Sequence, residues 1–415
     1  MSGAFKPGAG SRRSEAGHSI NSSQMTTPQM RNSRVWSRHK RAWRSFLAAG
    51  TWVIVLGGHS VAAADEELQK FEFLQIRMGI PVSIQLYAAG EEVANTAAKA
   101  AYERIRAIDR MMSDYDPDSE LMQLCRNARP GVPHPVSAEL AYVLARARDL
   151  SERTGGRFDV TIGPVVHLWR KARRREEMPD ASALEEALAR VGFRSVIVDE
   201  EGRTVTFTQP DMRLDLGAIA KGYAADEALR ILREHGLPRA LVDAGGDVVV
   251  GDAPPGRSGW RIEMEGIRDP EKERSDPRVL LLTNSAVATS GDAYRFVEID
   301  GVRYSHIVDP ETGLGLTTRS SVTVIAPDCM TADSLATAVS VLGPDAGVRL
   351  VNCTCDAEVD LIVAEECGFR EVTSRGFARY LLENQRERGA PCQGTVDRTR
   401  KRIVPQRNPA GLVLP

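Results

Sequence analysis

A serine, a histidine and a carboxylate lie close together in Ser305-His306-Ile307-Val308-Asp309-Pro310. A histidine titrates near neutral pH, so His306 can accept a proton from a hydroxyl. Asp309 and Asp292 are both candidates to orient it. Further on, Asp333 and Thr337 stand four positions apart. On a helix that spacing stacks a carboxylate and a hydroxyl on one face. Two such oxygens can share a hard cation such as Mg²⁺. The pair also suits a plain structural use, an acid at a helix start and a Thr bonded back to a carbonyl. Spacing alone favours the structural use. Leu214-Asp215-Leu216-Gly217-Ala218-Ile219-Ala220-Lys221-Gly222 reads as a strand end, a glycine turn and a helix start. Such a junction aims free backbone N–H groups outward and suits a phosphate, although many structural turns share the pattern. Gly245-Gly246-Asp247 permits close approach of a ligand or a tight turn, with equal weight.

These residues need elements to hold them. Tyr294 to Ile299 and Val302 to Ile307 alternate around Asp300-Gly301, a hairpin signal. Phe71 to Tyr87 alternates too and breaks at Met78-Gly79. Glu92 to Met112 has helical spacing, with Val93, Ala97, Ala101, Ile105, Ile108 and Met112 on the apolar side. Asp118 or Ser119 caps a short helix carrying Leu121 and Leu124. Ser137 caps another that ends at Gly155-Gly156. Arg157 to Trp169 reads as a strand-like run stopped by Gly163-Pro164, with one buried-looking carboxylate, Asp159. Arg170 to Glu177 reads as a charged loop or helix start. Ala181 to Val191 is a short helix, and Ser195–Val198 with Thr204–Thr208 a hairpin. Ala240–Val242 and Val248–Gly251 belong to a sheet that Trp260–Met264 and Val279–Leu282 extend. Ser321 to Ile325 is a strand, Thr331 caps a helix to about Leu342, and Val359 to Ala364 is the last strand.

The chain of 415 residues can bury a large core, and its formal net charge is −2. Residues 1–64 hold nine basic residues and one acid. The rest has 45 basic and 55 acidic residues, a net of −10, which argues against a nucleic-acid partner. Arg31 to Arg44 is basic, Phe46 to Leu56 is apolar, and Ala62-Ala63-Ala64 offers a cleavage site. That order reads as an export signal, and an uncleaved membrane anchor is the alternative. Met30 is a second candidate start. The division is thus residues 1–64 as extension and export signal, 65–384 as the working domain and 385–415 as a disordered tail. The 6 cysteines read mostly as buried apolar residues. His134, His167 and His235 read as structural or surface residues.

Taken together, these stretches resemble the ApbE family of FAD:protein FMN transferases. The motifs fall in order across Phe71 to Tyr380. They are Met78-Gly79, Met112-Ser113-Asp114-Tyr115 with Ser119-Glu120, Phe158-Asp159-Val160-Thr161-Ile162-Gly163-Pro164, and Asp215 to Tyr223. Gly245-Gly246-Asp247, the stretch from Ser290 to Gly313, and Ala332-Asp333 with Ala336-Thr337 complete the set. The resemblance implies an α+β fold of two subdomains, with mixed or antiparallel sheets flanked by helices. It implies Mg²⁺-dependent transfer of FMN from FAD to a Thr or Ser hydroxyl of a partner protein, with release of AMP. It also implies a metal held by Asp333, Thr337 and the carbonyl of Ala218. FAD contacts carry over to Met78, Tyr115, Arg157, Phe158, Asp159, Asp215, Lys221 and Ile307, and the catalytic histidine to His306. The family's usual Thr after Met-Gly is Ile80 here, and its frequent Asn after Val166 is His167. The implied location is exported, periplasmic or bound to the inner membrane, and the implied partner an exported or membrane redox protein. Two other readings use the same residues: an FAD pyrophosphatase releasing FMN and AMP, and an FAD carrier without turnover.

Overall fold

Alternation from Phe71 to Tyr87 produces a hairpin, β1 (Gln69–Arg77) and β2 (Ile80–Ala88). Its turn puts Met78 at φ 50° and Gly79 at φ 71°. In the computed structural model, residues 68–264, 278–291, 295–365 and 368–382 are described. The export segment 1–64, Asp292, Cys367, Cys392 and the tail 385–415 fall outside them.

Helix α1 (Glu91–Met112) buries four alanines and Tyr102 on one face, followed by Ile105, Ile108 and Met112. Val93, expected on that face, is exposed, and Ala94 takes the buried position. Ser119 caps α2 (Glu120–Asn127), its Oγ accepting from Met122 N at 3.1 Å. After β3 (His134–Pro135), Ser137 caps α3 (Ala138–Thr154), which ends on left-handed Gly155.

The strand expected over Arg157 to Trp169 is not formed. Asp159 caps a 3₁₀ turn at Val160–Ile162, which runs directly into α4 (Gly163–Arg175). Gly163-Pro164 starts this helix rather than stopping a strand. A proline in the first turn loses no hydrogen bond, because that N–H has no helical acceptor. The charged stretch expected to be a loop or a helix start is helical to Arg175, as the C-terminal half of α4. Its three arginines in the last turn favour the helix dipole. Helix α5 (Ala181–Leu188) follows, and β4 (Val196–Asp199) and β5 (Thr204–Phe207) pair in a small sheet with β3.

Residues 214–216 are irregular rather than the expected strand end, and a turn at 217–219 leads into α6 (Ala220–Glu234). Strands β6 (Ala240–Ala244) and β7 (Asp247–Val250) turn through Gly245 and Gly246, both at positive φ. Strands β8 (Trp260–Glu263) and β9 (Val279–Leu282) were expected to extend this sheet but form a separate two-stranded sheet, with Leu280 bridging to Leu381. Trp260, Leu280 and Leu282 instead pack on sheet residues Leu241, Val248, Val250 and Val287. Apolar side chains on both strands make covering the sheet face more favourable than adding an edge.

Then come β10 (Ser285–Gly291) and the hairpin β11 (Phe296–Ile299) and β12 (Val302–Ser305), turned at Asp300 and Gly301. Strand β13 (Ser320–Ala326) precedes α7 (Cys329–Asn352). Its cap is Asp328, not Thr331; the Asp328 carboxylate accepts from Thr331 N and Oγ1 at 2.7 and 2.9 Å. The two carboxylate oxygens of an acid three residues earlier take one donor each. Gly343 at φ 74° breaks the helix just after Leu342. Strand β14 (Glu358–Glu365) is not the last; β15 (Gly368–Thr373) pairs with it.

The large sheet has the order β1-β2-β6-β7-β10-β13-β14-β15, antiparallel throughout. Helices α1, α6 and α7 share its main core. A separate core joins α4 and α5 to the β11–β12 hairpin through Val165, Trp169, Val297 and Ile299. This is the α+β arrangement in two subdomains. Cysteines depart from expectation: Cys329 is buried, Cys125 half-buried, and Cys353 and Cys355 are exposed; all four thiols are free. His134 is half-buried, while His167 and His235 are exposed.

Candidate active site

Two helix starts and a strand start meet at Lys221. It lies in the first turn of α6, Asp247 opens β7, and Asp333 sits early in α7. The Lys221 ammonium donates to Asp333 Oδ1 at 2.9 Å and also to Asp247 Oδ2. Gly222 N donates to the other Asp333 oxygen at 3.2 Å. Burial works against the Lys221 charge, but the two carboxylates outweigh it and hold its pKa above the usual range. Asp247 is pushed up to about 7, first by burial and then by the neighbouring Asp333.

The crossing of α6 and α7 is fixed by backbone. A Cβ at Gly222 would sit on the Cys329 carbonyl oxygen, so only glycine fits. Asp226, one turn on, accepts from Cys329 N and Met330 N at 2.8 and 2.9 Å. It therefore docks the start of α7 against α6. Burial pushes this carboxyl up to about 7.

Thr337 stands one turn beyond Asp333, its Oγ1 3.4 Å from Ser290 Oγ on β10. The Ala218 residue lines the same cavity from the turn before α6. A carboxylate, a hydroxyl and a carbonyl make an all-oxygen donor set, which fits Mg²⁺. The Lys221 ammonium between two acids shows that this corner stabilises positive charge. Among the described residues no group of three or more His, Cys, Asp or Glu forms a metal cluster. A cation here would thus rely on backbone, hydroxyl and substrate oxygens.

His306 follows β12. Its backbone N donates to Arg295 O at 2.9 Å, and its ring Nδ1 lies 3.2 Å from the same oxygen. A carbonyl only accepts, so Nδ1 carries the proton and Nε2 the lone pair. Burial lowers the His306 pKa to about 4, with Arg295 and Arg173 adding to the shift. Asp309 does not orient this histidine. It pairs with Arg157 at 3.1 Å, and Arg157 also reaches Glu311. The Arg295 carbonyl holds the ring instead.

The twelve site residues implied by the family resemblance all line one cavity of about 1620 Å³, while Asp309 does not. The cavity brings Met78, Tyr115, Arg157, Phe158, Asp159, Asp215, Ala218, Lys221, His306, Ile307, Asp333 and Thr337 together. Tyr115 is exposed, and the Arg170 guanidinium lies 4.0 Å from its ring centroid. Arg170 bonds Asp215 at 3.0 Å and also Asp114. Burial raises the Asp215 pKa, and Asp114 beside it adds to the rise. Phe158 and Ile307 are buried. Asp159 lines the wall while its carboxylate accepts from Thr161 N, Thr161 Oγ1 and Phe193 N at 2.7 to 2.8 Å.

The ApbE family model matches residues 78–361. The chain belongs to the ApbE family. It is 31% identical over 316 residues to the FAD:protein FMN transferase of Klebsiella pneumoniae, covering 74% of this chain and 87% of that one. The FAD:protein FMN transferase of Treponema pallidum is 34% identical over 319 residues, with 73% and 87% covered. Among solved structures, the flavin transferase ApbE from Vibrio cholerae superposes with a TM-score of 0.69 at 30% identity. That match covers 76% of this chain and 100% of the other. The apo flavinyl transferase ApbE of Pseudomonas stutzeri gives 0.66 at 27% identity, covering 75% and 97%.

Within this ApbE site, sequence reasoning missed the roles of Asp114, Arg170, Arg173, Asp247 and Arg295. Asp114 and Asp247 stand inside quoted motifs, next to Tyr115 and Gly246, and were findable there. Arg170 and Arg173 carry no signal when Arg157 to Trp169 is taken as strand-like and Arg170 to Glu177 as a charged loop or helix start, and no spacing singles out Arg295. Once α4 is a helix, Ile162, Val166, Arg170 and Arg173 recur at helical spacing, and all line the cavity.

Proposed function

We infer that this chain is an FAD:protein FMN transferase. The observation that carries the reading is the convergence, in one cavity, of a neutral histidine and an oxygen donor set built around Asp333. The acceptor hydroxyl oxygen attacks the FMN phosphorus and forms a new P–O bond. The P–O bond to AMP breaks, and AMP leaves with that oxygen. His306 Nε2 takes the hydroxyl proton, while Nδ1–H stays on the Arg295 carbonyl. Asp333, Thr337 and the Ala218 carbonyl would hold Mg²⁺, which when bound neutralises charge on the diphosphate oxygens. Lys221 and Gly222 N keep the Asp333 carboxylate in place. Tyr115, Phe158, Met78 and Ile307 offer aromatic and apolar surface to the flavin and adenine rings. Arg157, Asp159 and Asp215 line the polar wall.

The acceptor in this reading is a Thr or Ser hydroxyl of an exported or membrane redox protein. The basic, apolar and small-residue order of residues 1–64 supports export to the periplasm or retention at the inner membrane. Among the described residues no helix is long and apolar enough to cross a membrane.

The test is incubation of residues 65–415 with FAD, Mg²⁺ and a peptide that a known transferase modifies. Mass spectrometry should show a gain of one FMN on the peptide, absent in Asp333→Ala and His306→Ala. Free FMN and AMP with an unmodified peptide would replace the transferase by a pyrophosphatase. Bound FAD with no product would reduce the protein to a carrier.

A further inference from the structure

Around His306 the cavity wall carries Arg157, Arg170, Arg173 and Arg295. Two of these are used inside the protein. Arg157 pairs with Asp309 and Glu311, and Arg170 with Asp114 and Asp215. The other two differ. Among the described residues, no carboxylate pairs with the guanidinium of Arg173 or Arg295. Arg173 makes one long hydrogen bond, from Nε to Trp169 O at 3.4 Å, which leaves both terminal nitrogens available. It is half-buried, and its pKa is lowered by burial and by the charges of Arg170 and Arg295.

A half-buried guanidinium beside like charges is unfavourable until an anion joins it. Its planar fork matches phosphate oxygens. The Lys221 corner of the cavity is different, since it sets two carboxylates against one ammonium and repels phosphate unless a cation intervenes. Arg173 and Arg295 thus set two guanidiniums without an acid partner among the described residues at the histidine end, while the Lys221 corner is net acidic. Arg173 is half-buried and held from behind, while Arg295 is exposed at the start of the hairpin. Arg173 rides on α4, whose Trp169 is buried in the core shared with the hairpin. The Arg295 backbone carbonyl is the group that fixes His306.

We propose that Arg173 and Arg295 form a clamp for the anionic diphosphate of FAD at the His306 end of the cavity. The proposal rests on the transferase reading and names residues of this chain that bind the substrate's charge. The clamp draws the diphosphate toward the proton acceptor, while the Asp333 corner takes its other side.

The test compares FAD with riboflavin, which has the same ring system and no phosphate. Binding to the full chain is followed by flavin fluorescence in the presence of Mg²⁺. Arg173→Gln and Arg295→Gln should each raise the Kd for FAD about tenfold or more, as expected for losing a charge-assisted contact. The Kd for riboflavin should not move, and Arg173→Lys should recover part of the FAD affinity. Unchanged FAD affinity in both Gln variants would overturn the clamp. So would equal loss of FAD and riboflavin, which would mark a structural role. A rise confined to the KM of the acceptor peptide would also overturn it, by assigning the arginines to the acceptor. Wild-type protein that binds no FAD would overturn the transferase reading and the clamp together. Wild-type binding with unaltered variants would overturn the clamp alone.

Discussion

To act as the proposed base, His306 would need a neutral ring. Burial and two arginines lower its pKa to about 4, so the free protein keeps this ring neutral well below pH 6.5. The acid limb of kcat/KM that reports His306 should therefore fall near pH 4, not near 6.5, in a pH–rate profile. The same shift has a stability consequence. A histidine with a depressed folded pKa contributes stability that is present above its unfolded pKa and lost as pH falls through the folded value. His306→Ala should lower transfer by about 10²- to 10⁴-fold while FAD still binds, as single-turnover kinetics with a fluorescence titration would show. Asp333 is tested through metal dependence. Asp333→Ala should raise the half-saturating Mg²⁺ by at least the roughly 10- to 100-fold typical of losing an outer-sphere partner. Lys221 would then keep only Asp247, and a variant with unchanged Mg²⁺ response would remove Asp333 from the site.

The elements that matter most are α6 and α7, because their crossing sets Lys221 against Asp333. Gly222→Ala would drive a methyl group into the Cys329 carbonyl. Neither backbone can yield without moving a helix, so the expected cost is about 3 kcal/mol in urea unfolding. Activity should fall further than stability, since the shift displaces Asp333. Asp226 docks the same two helices through hydrogen bonds to Cys329 N and Met330 N. Asp226→Asn turns one acceptor into a donor facing an N–H, at a cost of about 1–3 kcal/mol near pH 8. Its pH dependence carries a definite sign. A carboxyl raised to about 7 contributes stability present below its unfolded pKa and lost as pH rises through 7. Removing it should flatten the stability profile between pH 4 and 7, measured as urea midpoints. Helix α4 shows how an element hides in sequence. Gly-Pro is compatible with both a stop and a start, and its run of arginines obscures the apolar stripe of Val165, Trp169 and Ala172. Ser119 and Ser137 were legible because a cap acts within four residues of chain.

At the scale of the molecule, the cavity lies between two cores. The large sheet with α1, α6 and α7 carries Lys221, Asp247, Asp333 and Thr337. The smaller core of α4, α5 and the β11–β12 hairpin supports His306 and Arg173. Trp169 joins the parts of that small core. Its indole N–H donates to Gly313 O at 2.7 Å, and its ring lies 5.2 Å from that of Tyr304. Trp169→Ala should cost about 3–5 kcal/mol locally. Hydrogen exchange should then speed up in β11 and β12 while the large sheet stays protected. Equal acceleration in both parts would mean that they open as one unit. FAD spanning the cavity should slow exchange in the hairpin of the wild-type protein, because a ligand bound only to the closed form stabilises it.

The amino-acid sequence alone determined the local devices: two extended pieces around Met78-Gly79, a hairpin at Asp300-Gly301, helix caps at Asp118 or Ser119 and at Ser137, and the Asp333–Thr337 face. Each rests on interactions within a few residues, so its signal is contained in a short stretch. Ordered motifs also pointed to the family and to the twelve site residues that now line one cavity. The tertiary structure decided what depends on distant partners. It moved β8 and β9 from the sheet edge to its face, because the apolar surface they cover comes from β6, β7 and β10. It gave Asp247 to Lys221, Asp309 to Arg157 and the Arg295 carbonyl to His306. It also left Arg173 and Arg295 facing the cavity without an acid. Charge pairing acts through space, and the chain order of a carboxylate does not say which cation folding will set beside it.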